Sequence, residues 1–183
     1  MGLIQTRTGR VFDYKNPVSG MICMADIATA LAKTCRYGGH CKKFYSVAEH
    51  SVICADVMFE ETSDSLLALC ALMHDAAEAY VGDLPIGLKR LFPAYKELEH
   101  RIQAVISEKY GMPWPFPPSV KEVDRRVLVT ERPQLLRVPE QENEAWIEYS
   151  HLKPYPDITL RCHHWSDAEA YFLLAFEKYY FHV

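Results

Sequence analysis

The run Leu66, Leu67, Leu69, Cys70, Leu72 and Met73 is apolar on most sides of a helix and ends in two adjacent polar residues, His74 and Asp75. A helix without a polar face belongs at the centre of a protein, so this segment, expected to be helical over 63–80, requires other elements to enclose it. A histidine and an aspartate side by side on a buried helix must recover the free energy of leaving water. A metal ion does so, because imidazole and carboxylate together suit a divalent cation such as Zn, Mn, Co or Fe. Two further ligands are then needed. His50 on the preceding helix and Asp124 on a later one are the candidates.

Enclosing helices are legible on both sides of that run. Ile27, Leu31, Thr34 and Cys35 follow a helical period from Met24 and stop at Arg36-Tyr37, before Gly38-Gly39. Ser46-x-x-Glu49 is a capping box, which opens a second helix with His50 in its first turns. Beyond the stop Gly82-Asp83-Leu84-Pro85, another helix follows Pro93 through Leu98, Ile102, Val105 and Ile106 to Gly111. Residues 112–118 hold four prolines and form a stiff connector. Ser119-x-x-Glu122 repeats the capping signature and starts a helix through Val123, Asp124, Val127, Leu128 and Glu131 that should end before Pro133. Residues 133–165 read as irregular with a short strand at 158–161, and Ser166-x-x-Glu169 opens an aromatic last helix to about residue 180. At the start, Thr8-Gly9 between apolar alternations predicts a small hairpin or extended arm.

The expected fold is therefore all-α, one domain over 1–183 with its motif-bearing core at about 24–136 and a closing helix at about 166–181. At roughly 150 residues per domain, 183 residues make one unit, and a hydrophobic content of 49% is enough to fill its core. Twenty basic residues against 24 acidic ones, a net charge of −4 and no long run of either sign exclude a whole-surface field for polymeric nucleic acid. No apolar run approaches 18 residues and the start lacks a signal-peptide core, so a cytoplasmic protein without a membrane partner is expected. Six dispersed cysteines without a C-x-x-C pair read as buried free thiols, and Cys162-His163-His164 lacks a second cluster that would make it a zinc site. The aromatic residues of the last helix suit core packing or a contact in a homo-oligomer.

The order His50, then His74-Asp75, then Asp124 resembles the H…HD…D metal-binding pattern of the HD-domain phosphohydrolase superfamily, a helical-bundle family. The flanking runs sharpen the resemblance. Residues 46–51 (Ser-Val-Ala-Glu-His-Ser), His74-Asp75-Ala76-Ala77-Glu78 with Gly82-Asp83-Leu84-Pro85 and Lys89, and residues 120–124 are similar to the bacterial 5′-deoxynucleotidases of that superfamily. The likeness covers roughly residues 36–131. It implies an HD-domain bundle in which His50, His74, Asp75 and Asp124 bind one divalent transition metal ion (Zn, Co, Mn or Fe, with Mg a further candidate). Positions for water and a phosphate oxygen stay open.

Glu78, four residues after His74, would then orient or deprotonate the attacking water, and Asp83 would protonate the leaving oxygen or hold water. Arg36 corresponds to a phosphate-contacting arginine, with Lys89 a second positive charge and His40 a pocket-lining residue. Tyr37 stands where the deoxynucleotidases have a tryptophan beside the sugar, and Gly87 replaces a loop proline. The implied reaction is removal of phosphate from a small deoxynucleotide, most simply a 5′-monophosphate. Release of triphosphate from a deoxynucleoside triphosphate, as in HD proteins encoded by phages, is the alternative; a nucleotide-sensing module without turnover is the non-enzymatic one. The alarmone hydrolases of the superfamily carry Glu-Asp after the HD pair, where this chain has Glu78-Ala79.

Overall fold

The computed structural model describes residues 2–141 and 144–182. The predicted hairpin is present: β1 (Leu3–Gln5) pairs antiparallel with β2 (Val11–Asp13), with Ile4 opposite Phe12. Gly9, at φ 83°, makes the turn, and its N–H donates to Thr6 O at 3.0 Å. The hairpin is fastened to the first helix by Asp26, whose carboxylate accepts from the Thr6 hydroxyl, the Thr8 amide and the Thr8 hydroxyl at 2.7–2.8 Å. Phe12 is fully buried and stacks on Tyr80 at 4.1 Å.

Helix α1 (Met24–Lys33) is shorter than its apolar period predicts. The chain leaves it because the next backbone groups find partners elsewhere: Cys35 bridges to Ser46, and Arg36 N–H donates to Tyr45 O at 2.9 Å. Helix α2 (Val47–Thr62) starts on Ser46, whose hydroxyl accepts the Glu49 amide at 3.0 Å. The reciprocal half of that capping box is absent. The Glu49 carboxylate instead accepts the backbone amides of Arg161, Cys162 and His163 at 2.8–3.0 Å. The predicted strand at 158–161 does not form, since these amides are taken by Glu49, while the Gln134 side chain takes Leu160 N–H and Ile158 O.

The central apolar segment is α3 (Ser65–Leu72), buried from Ala68 onward. It does not continue to residue 80. The side-chain amide of Gln103 occupies the helical bond that Ala77 N–H would have made to Met73 O, donating to Met73 O and accepting from Ala77 N–H, each at 3.0 Å. The backbone tightens through 73–77 and re-emerges as the short α4 (Glu78–Val81). After α5 (Ile86–Lys89) come α6 (Pro93–Lys109), which carries Gln103, and α7 (Pro118–Leu135).

Helix α7 begins on Pro118, with no side-chain cap, so Ser119 and Glu122 do not form the expected box. It also runs through Pro133 to the buried Leu135. Helix α8 (Glu144–Ile147) is a single turn, and α9 (Trp165–Tyr180) closes the bundle, packing across α1, α2 and α3. Helix α7 packs on α2 and α3, so α2 and α3 lie between α7 and α9. Among the described residues, no helix is long and apolar enough to cross a membrane.

Candidate metal centre

Three elements meet at one end of α3. Helix α2 presents His50 and, one turn later on the same face, Cys54; the tightened turn after α3 presents His74 and Asp75; α7 presents Asp124. His50 Nε2 lies 3.2 Å from Asp124 Oδ1 and 3.5 Å from Cys54 Sγ. His74 Nε2 lies 3.1 Å from Asp75 Oδ2 and 3.6 Å from Asp124 Oδ1. The two imidazole centroids are 5.3 Å apart. The four residues expected from the sequence to be ligands are thus brought together.

Separations of this size match the edges between ligands that share an ion at about 2.0–2.3 Å. Two further observations fit a cation. His74 Nδ1–H donates to Ala71 O at 2.7 Å, which turns Nε2 inward as an acceptor, yet that buried nitrogen makes no hydrogen bond. His50, Cys54 and His74 also form a compact group able to hold a metal ion.

The imidazoles and carboxylates bias one another's protonation. Burial of the His50 ring and the nearby Arg36 oppose its protonation, but the Cys54 sulfur, Glu131 and the hydrogen bond to Asp124 outweigh them and hold it well above the ordinary histidine value. At His74, burial is overcome by Asp75 and Asp124. Burial would raise both aspartates, yet His74 holds Asp75 low, and the hydrogen bond from His50 with the nearby His74 imidazole holds Asp124 low.

Glu131, fully buried, was not among the residues expected at the site. Its Oε1 accepts His50 Nδ1–H at 2.6 Å and Tyr45 O–H at 2.9 Å, and its Oε2 accepts Tyr37 O–H at 2.6 Å. Arg36 reaches the same carboxylate at 3.4 Å and Asp75 at 3.5 Å. Burial works against its charge, but Arg36 and His50 bring the carboxyl down to about 2. By accepting the Nδ1–H hydrogen bond, Glu131 leaves His50 Nε2 to face the other candidate ligands. The sequence holds a signal for it: Glu131 is seven residues, two helical turns, after Asp124 and so shares its face.

The remaining expected residues divide. Glu78 is buried, with Oε1 accepting from Lys89 Nζ at 2.7 Å and Oε2 unpartnered. Burial, then Asp75 and Asp83, push its carboxyl well up against the pull of Lys89. Asp83, after Gly82 at φ 85°, is half-buried; burial raises its carboxyl while Arg36 restrains it. Lys89 also binds Glu99 at 2.7 Å, and these carboxylates with Asp75 overcome burial to keep it charged. Arg36 and Lys89 are therefore already paired with carboxylates.

Tyr37 sits in the left-handed region (φ 58°), its hydroxyl committed to Glu131. His40 is exposed at the far end of the same turn. His163 packs its ring on Tyr171, and the His164 side chain accepts the Ser166 amide at the start of α9. A groove of about 400 Å³ lined by Glu49, Val52, Asp56, Ile158 and Tyr171 among others shares none of the cluster's residues.

No family model matches the chain. It is similar to the uncharacterized protein YfdR of Escherichia coli K12, 45% identical over 135 residues that cover 74% of this chain and 73% of YfdR. The uncharacterized protein RCAP_rcc00048 of Rhodobacter capsulatus is 32% identical over 120 residues, 62% of this chain and 61% of that protein. At that identity and coverage of YfdR, this chain, with its imidazole, carboxylate and thiol donors gathered at the end of α3, belongs to the family of YfdR.

Proposed function

We propose that the chain is a metal-dependent phosphohydrolase of the HD-domain kind that removes phosphate from a small deoxynucleotide, a 5′-monophosphate in the first instance. The observation that carries this reading is the convergence of His50, His74, Asp75 and Asp124 around a buried imidazole nitrogen that makes no hydrogen bond. The donor set fits a divalent transition metal, and a thiol within 3.5 Å of His50 Nε2 favours Zn, Co or Fe over Mg. Such an ion supplies Lewis acidity and charge neutralisation to phosphate hydrolysis.

The chain's own residues supply the rest. Glu78 keeps one carboxyl oxygen anchored on Lys89 and the other free, an arrangement suited to taking a proton from water at Oε2. Burial and the neighbouring carboxylates raise its carboxyl well above the ordinary glutamate value, the direction that suits a general base. Asp83, also raised, would hold a proton for the leaving oxygen. Arg36 and Lys89 are the cations facing the substrate side; Tyr37 shapes the turn that holds Arg36. Each cation already serves two carboxylates. Little positive charge is left over for a triphosphate, which favours the monophosphate over the triphosphate reading.

The test incubates the protein, loaded in turn with Mn, Co, Zn or Mg, with dAMP and dATP and identifies phosphate or triphosphate. Phosphate from dAMP supports the proposal, and binding without turnover under every ion overturns it. His50→Ala and Asp75→Ala should lose metal and hydrolysis together, whereas Glu78→Gln should retain metal and slow hydrolysis by about a hundredfold or more.

A further inference from the structure

The turn that carries Arg36 is bounded by two cysteines. Cys35 Sγ and Cys41 Sγ lie 3.5 Å apart, both half-buried, so a small oxidant can reach them. The backbone between them makes this approach possible: Tyr37, Gly38 and Gly39 are successive left-handed residues (φ 58°, 58° and 80°) that fold the chain back on itself. Both ends are held to the body of the protein. Cys35 bridges to Ser46, Arg36 N–H donates to Tyr45 O at 2.9 Å, and Lys42 N–H donates to Leu135 O at 2.8 Å. The thiols therefore face each other because the backbone holds them there.

We propose that Cys35 and Cys41 are a dithiol modification site, converted by a hydroperoxide into an intramolecular disulfide that staples the Arg36 turn. The sulfurs need to close from 3.5 Å to about 2.05 Å, a movement that side-chain rotation and a small shift of the turn can share. One thiolate attacks the peroxide oxygen, breaking the O–O bond, and becomes a sulfenic acid as water or an alcohol leaves. The second thiol attacks the sulfenic sulfur, the S–S bond forms and water departs. Two hydrogens leave the protein, and the two electrons it loses reduce the peroxide bond. Burial, with the neighbouring thiol adding to it, pushes the Cys41 thiol up. The inference does not depend on the phosphohydrolase reading.

The full chain is treated with a few equivalents of hydrogen peroxide, its remaining thiols are alkylated, and intact mass and peptide masses are read. The expected result is loss of two hydrogens, a fall in free thiols from six to four, and a linked peptide joining Cys35 to Cys41. In C41S the bridge should be absent and a dimedone adduct should appear at Cys35. Six alkylated thiols after treatment, or a bridge between any other pair in the wild-type chain, overturns the proposal. That mapping needs no variant to fold.

Discussion

Glu131 shows how far a single buried residue reaches into this site. Its carboxylate is fully enclosed, and His50, Tyr37, Tyr45 and Arg36 all turn toward it. Replacing it with glutamine should lower metal affinity by about 10–100-fold, the usual effect of losing the carboxylate that orients a ligating histidine. Competition with a chelator measures this, and an unchanged affinity would remove Glu131 from the orienting role.

The same residue predicts a pH dependence. Its carboxyl falls from 4.5 to about 2 on folding, so its contribution is full above about pH 4.5 and disappears as pH falls through about 2. The difference corresponds to about 3 kcal/mol. Denaturant titrations of metal-free protein between pH 6 and 3 should show an acid limb that is shallower in Glu131→Gln. At this scale the sequence held the four residues that meet at the end of α3, legible through the resemblance of their order to the H…HD…D pattern and not through spacing alone. It did not disclose the partners of Arg36 and Lys89, because which carboxylates a long cation meets depends on elements far apart in the chain.

Helix starts were more legible than helix ends. Ser46 caps α2 as its spacing predicts, but Glu49, Ser119 and Glu122 carry the same signature without completing it, because stronger competitors or a proline at the first turn take precedence. The break after α3 was hidden altogether. Residues 73–77 have no helix breaker, and the interruption comes from Gln103 on α6, whose amide occupies both halves of the missing helical bond. The insertion sets the turn on which His74 and Asp75 stand. Gln103→Leu should leave Met73 O and Ala77 N–H without their partner, costing about 1–3 kcal/mol, and should weaken metal binding although the residue touches none of the ligands. Urea unfolding with chelator competition tests both, and normal metal affinity in a destabilised variant would separate the turn from the site.

The whole molecule couples site and stability, because the candidate ligands come from three separate elements and an ion they shared would bind only the folded chain. An ion at a hundred times its dissociation constant adds about 2.7 kcal/mol to folding. For a chain of this size, removing it with a chelator should lower the melting midpoint by roughly 5–10 °C. A midpoint indifferent to the chelator would argue that the ion does not bridge these elements. The all-α architecture was readable from apolar periodicity, and the hairpin from Thr8-Gly9. The irregular stretch before α9 had no periodicity to read, and its shape is imposed by side chains from α2 and α7.

That imposed shape has a consequence for how the chain is made. Glu49, next to His50, is enclosed, and its carboxylate accepts the amides of residues 161–163. During synthesis those amides are still inside the ribosome when α2, α3 and α7 have already emerged. A nascent chain stalled before them should remain open to proteases around α2, and one stalled after α9 has cleared the exit tunnel should resist.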